Sequence, residues 1–167
     1  MFTFLKRRRA ELDARTTIGI ELHRQLKEAF DQNEMETSSH LLTFFTAGYL
    51  YGFVRLGFFT LTGVSGEEAT DKHMRRICDG VLPNKLWDDL NRKLEALNIA
   101  VGMDDQQKTI RRGSGLTPAE SIKLFEDGTK IGGHDASYTF RGTRAQNLKR
   151  YLVGELDVES FYKSIYE

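Results

Sequence analysis

The sequence predicts a mainly α protein, a single-domain multi-helix bundle around one central apolar helix, and three observations predict it. Apolar residues recur every three or four positions in several segments, as one face of a helix requires. Capping residues and glycines punctuate those segments where helices start and stop. A run from Leu41 to Phe59, LLTFFTAGYLYGFVRLGFF, is apolar almost all round and carries one charge, Arg55. A chain of 167 residues with 40% hydrophobic and 29% charged side chains can bury such a run in one core.

The first helix is read from Ala14, Ile18, Leu22, Leu26, Ala29 and Phe30, with Glu21, Arg24, Lys27, Glu28 and Asp31 on other faces. Thr37, Ser38 and Ser39 offer an N-cap for the central helix, and Gly63 and Gly66 end it. Ser65 and Glu68 form a capping-box pair for a third helix ending near Gly80. Pro83 opens a fourth, lined by Leu86, Leu90, Leu94 and Leu97 with Trp87 beside them. Asp104 to Arg112 holds two turns. Thr117, Pro118 and Glu120 combine N-cap, first-turn proline and box partner, and Gly128 closes that helix.

Beyond Gly128 the period changes, and Gly132 and Gly133 separate two short segments, the second with Tyr138, Thr139 and Phe140. At most a small β-hairpin in the C-terminal part, or an irregular loop, is expected over 129–141. Thr143 with Gln146, and Asp157, then cap two last helices. No repeat or composition break divides residues 1–167, and 113–115 is the only seam.

The central run admits three readings. Nineteen residues suffice to span a bilayer, but Arg55 within it costs a few kcal/mol there, so a buried core helix is the expectation. Gly48 and Gly52 sacrifice about 1 kcal/mol each of helix propensity, so another helix backbone is expected close by. High aromatic density suits a subunit interface of Gly48, Gly52, Phe45, Tyr49 and Phe53, and with it a homodimer.

Candidate chemistry is sparse. His40, Tyr51 and Arg55 share one side of the central helix and form the polar end of a conceivable ligand pocket, with an internal ion pair for Arg55 as the simpler account. Lys130, Gly132, Gly133 and His134 resemble an anion-binding loop, though a solvated turn explains them as well. The histidines lack metal-ligand spacing, Cys78 is single, and no nucleophile elbow, Walker loop or dinucleotide motif is present. Neither a metal, a cofactor nor a catalytic residue is therefore expected. Lys plus Arg and Asp plus Glu balance at 24 each, so nucleic acid is not the expected partner. The local cluster of Arg111, Arg112, Arg141, Arg144, Lys149, Arg150 and Tyr151 reads as an ion-paired helix surface.

At the N-terminus Phe2, Phe4 and Leu5 precede Lys6, Arg7, Arg8 and Arg9, which is not the order of a secretory signal. The aromatics are expected to dock on the domain's core while the basic run stays solvated, with a membrane-surface foot as the alternative. Together the observations predict a non-enzymatic, cytoplasmic interaction or regulatory module that self-associates; a small-ligand or anion-binding protein, possessing a pocket near Arg55, is the competing class.

Overall fold

The computed structural model describes residues 2–29, 41, 43–64, 66–82, 86–101 and 116–166. Within them lie seven helices: α1 Phe2–Ala29, α2 Phe44–Thr62, α3 Gly66–Val81, α4 Leu86–Val101, α5 Pro118–Thr139, α6 Asn147–Leu152 and α7 Val158–Tyr166. No strand occurs among the described residues. The mainly α bundle is thus present, with α2 at its centre and α1, α3, α4 and α5 packed against it. The expected helix over 104–112 and the seam at 113–115 lie outside the described residues.

The expected helix stop at Gly128 and the hairpin or loop over 129–141 are corrected by the structure. One helix runs unbroken from Pro118 to Thr139. Its start is as the sequence indicates: Thr117 Oγ1 accepts from Glu120 N, the Glu120 carboxylate accepts from Thr117 N, and Pro118 occupies the first turn. The glycines inside it are there for packing. A Cβ at Gly128 would lie 2.1 Å from Phe45 O, and one at Gly132 would lie 2.2 Å from Tyr49 O. The reciprocal positions match: a Cβ at Gly48 would lie 2.0 Å from Phe125 O, and one at Gly52 2.0 Å from Thr129 O. Two glycine pairs, each four residues apart, therefore let the α2 and α5 backbones touch. A helix regains through this contact the propensity that its glycines forgo.

Thr43, rather than the residues 37–39 proposed from the sequence, caps α2: its Oγ1 accepts from Thr46 N at 3.2 Å. Gly63 ends the helix in the left-handed region at φ +68°. Phe45, Tyr49, Leu50, Phe53, Val54 and Phe58 of α2 are all fully buried. Ile18, Leu22 and Leu26 of α1 and Leu148 of α6 join the same hydrophobic cluster. The Tyr151 ring on α6 stacks on Phe45 at 3.8 Å. By length and composition α2 could cross a membrane, but here its neighbours cover most of it.

Helix α1 behaves differently at its two ends. Its buried positions begin at Glu11, and Leu5 to Ala10 are all exposed, so its first turns project beyond the bundle. Leu5 is 56% exposed, while the expectation of docking on the core concerns the aromatics Phe2 and Phe4. The side chains of Phe2 and Phe4 lie outside the described residues.

Candidate functional site

Of the proposed Arg55 pocket, the structure describes Tyr51 and Arg55. Tyr51 is half-buried, with its ring 6.0 Å from that of Phe125, and Arg55 is half-buried and engaged. His40 lies outside the described residues. Lys130, Gly132, Gly133 and His134 sit on α5, where the backbone amides serve the helix rather than an anion; the loop is thereby corrected. Lys130 lies over the Tyr162 ring at 5.9 Å. Gly48, Gly52, Phe45, Tyr49 and Phe53 are all buried within the chain, the two glycines against α5.

The structure instead brings together a polar cluster between α1, α2, α5 and α6. Tyr49 Oη donates to Asp135 Oδ2 at 2.6 Å. Asn147 donates twice to the same carboxylate, from Nδ2 to Oδ1 at 2.7 Å and from its backbone N to Oδ2 at 3.2 Å. Asp135 thereby caps α6 from another helix, which explains why Gln146, at the N-cap position, makes no side-chain cap bond. Gln25 Oε1 lies 3.1 Å from Tyr49 Oη while its Nε2 has no partner. A phenol has one proton, so turning this amide over lets Nε2 donate to Tyr49 Oη while Tyr49 keeps its own proton and donates it to Asp135.

Burial raises the carboxyl pKa of Asp135 above its usual value, against the opposing pull of the Tyr49 and Asn147 hydrogen bonds. Burial, and then the charge of Asp135, hold the Tyr49 phenol far above its ordinary pKa, so the hydroxyl stays protonated. His134 Nδ1 is 3.7 Å from Asp135 Oδ1, and its ring packs at 4.4 Å on Tyr138 and edge-on at 5.1 Å to Phe161. Acid, phenol and imidazole are close, yet the acid and phenol are closed in by packing. This arrangement fixes four helices to one another, with Tyr49 fully buried and Asp135 nearly so.

A second polar cluster joins α1 to α3. Glu11, 6% exposed, accepts from Arg7, from Lys72, and faces His73 Nε2 at 3.4 Å. The Lys72 hydrogen bond is the main cause holding Glu11 below the usual carboxylate range. His73 is buried, stacks on Phe58 at 5.0 Å, and is pushed below the ordinary histidine value chiefly by that burial.

Of the basic residues proposed to form an ion-paired surface, Arg144 pairs with Glu28 and Arg150 donates to Glu155 O at 3.4 Å. Arg111 and Arg112 lie outside the described residues. A cleft of about 320 Å³ lies at the corner between α3 and α4, walled by Cys78, Leu82, Leu86 and Trp87. Arg75, which also lines it, bridges Asp79 and Asp88, so one guanidinium is shared by two carboxylates. Burial raises the Cys78 thiol's pKa, which makes it a poor nucleophile. No group of three or more potential metal ligands occurs among the described residues.

Sequence reasoning missed Asp135, Asn147 and Gln25. A signal existed for Asp135: Gly128, Ile131 and Gly132 precede it at helical spacing, placing a carboxylate on the buried face of its helix. It was hidden by reading the glycines as a break. Compared with protein families, with curated proteins and with solved structures, the chain matches none.

Proposed function

We propose that this protein is a non-enzymatic helical interaction module that self-associates, and that α1 rather than the central helix supplies the contact surface. One observation carries the reading: α2 buries most of its apolar residues inside the chain and exposes Phe59 and Leu61 only near its C-terminal end, whereas Leu12 and Ile20 stand 40% and 66% exposed along α1. At about 100° per residue these two lie about 80° apart, Ile20 on the side opposite Ile18 and Leu22 and Leu12 on the flank between. A 28-residue helix with two exposed apolar residues on its outer side suits a two-fold pairing of like helices. The closed polar cluster argues in the same direction, since its acid and phenol hold helices together rather than face a cavity. Buried, protonated Cys78 is compatible with a reducing, cytoplasmic setting.

Light scattering after size exclusion tests this. The wild type is expected to elute as a dimer, and Leu12→Glu with Ile20→Glu as a monomer with an unchanged helical circular-dichroism spectrum. A wild type that is monomeric at all concentrations overturns self-association.

A further inference from the structure

The projecting start of α1 carries a second, separate opportunity. From Lys6 to Arg9 the chain is basic at four consecutive positions, with no acidic residue before Glu11. Each of these residues is exposed, and Lys6, Arg8 and Arg9 make no ion pair among the described residues. Arg7 reaches back to Glu11, which is itself held by Lys72 of α3, so the arm is anchored at its root. Beyond that root the helix extends nine residues, Phe2 to Ala10, or about 13 Å at helical rise.

The composition of the arm selects among anionic partners. A nucleic acid asks only for the cations. Here Leu5 is 56% exposed among them, and the same turns of the chain contain Phe2 and Phe4. A helix end that carries aromatic and aliphatic residues next to lysine and arginine can place the former in the acyl boundary of a lipid interface and the latter against headgroups. The whole chain has equal numbers of acidic and basic residues, so the attraction comes from a local run such as the arm and not from net charge.

From this charge and exposure we infer that the first turns of α1, Phe2 to Arg9, dock on an anionic lipid surface. The inference goes beyond the self-association reading and does not depend on it, because it uses the turns before Leu12. One short segment binds weakly alone, so the docking is reversible and strengthens when a dimer presents two arms.

Co-sedimentation of the full chain with phosphatidylserine–phosphatidylcholine vesicles, and with phosphatidylcholine alone, tests it. Binding is expected to the anionic vesicles only, to weaken at high salt, and to fall at least tenfold in Arg8→Glu with Arg9→Glu. Leu5→Glu is expected to weaken it with the cations intact, which separates lipid insertion from charge attraction. All three substitutions lie at exposed positions, and unchanged melting temperatures confirm that the bundle is intact. No binding to anionic vesicles, equal binding by the charge-reversed variant, or tighter capture by a DNA duplex than by vesicles with no effect of Leu5→Glu, each overturns the lipid assignment. The Leu12→Glu, Ile20→Glu variant separates the two proposals: a monomer that still binds vesicles retains the arm and loses only the dimer.

Discussion

Two seams hold this bundle, and they are built in opposite ways. Between α2 and α5 backbone meets backbone through Gly48, Gly52, Gly128 and Gly132, with no side chain between. Between α1 and α3 the contact includes the long side chains of Glu11, Lys72 and His73. The first tolerates no added atom, because only rigid backbone lies where a Cβ would go. The second can absorb a change by moving flexible side chains, but it depends on their charge. The difference teaches that helical glycines must be sorted by what they face: Gly80 meets nothing within 4 Å, and Gly19 meets only Val81 Cγ2 at 3.9 Å.

The largest expected effect tests the first seam. Gly52→Ala or Gly128→Ala should destabilise the protein by about 2–3 kcal/mol, and Gly52→Val by more, because the two backbones must separate. Urea unfolding midpoints measure it; wild-type stability in Gly52→Ala would mean that α2 and α5 do not pack this closely. Next comes the polar cluster beside that seam. Asp135→Ala strands the donors of Tyr49 and Asn147 and should cost about 2–3 kcal/mol, with Tyr49→Phe costing about 1 kcal/mol.

Acid then separates the seams by sign. Glu11 is held below its ordinary 4.5, so its contribution is complete above that value and is lost as pH falls through its folded pKa. His73 is held below 6.5, so its contribution is complete above 6.5 and is also lost as pH falls through the folded value. Arg15 and Lys72 face this ring and oppose its protonation, while Glu11 favours it. Asp135 is raised above 3.8, so its burial penalty grows as pH climbs through the folded pKa and disappears in acid. Thermal melts from pH 7 to 4 should show His73→Phe flattening the loss that begins below 6.5. Asp135→Asn should remove the opposing gain on acidification and make the fall steeper. The smallest effects come from the open glycines: Gly80→Ala and Gly19→Ala should each raise stability by about 0.5–1 kcal/mol.

The helical architecture was legible because the information is local. The stripe of Ile18, Leu22 and Leu26, the box of Thr117 and Glu120, and the stop at Gly63 each act within a turn or two. That Gly48 and Gly52 admit another backbone was legible too, since a costly residue repeated on one face needs a reason. Which backbone it would be was not, because the partner lies far along the chain. The same distance hid Asp135: its donors come from α2 and α6, and Asn147 alone resembles any polar residue near a helix start.

Gly48 and Gly128 stand 80 positions apart, so the seam they form brings no reward until a long stretch of chain has been closed. Loop-closure entropy is spent before these backbones meet, and such distant contacts slow folding. Until that moment the most apolar helix of the molecule lacks its principal cover and is open to contact with other chains. The nascent protein therefore passes through its period of greatest risk between the synthesis of α2 and the arrival of α5, and a glycine substitution that delays their meeting lengthens it.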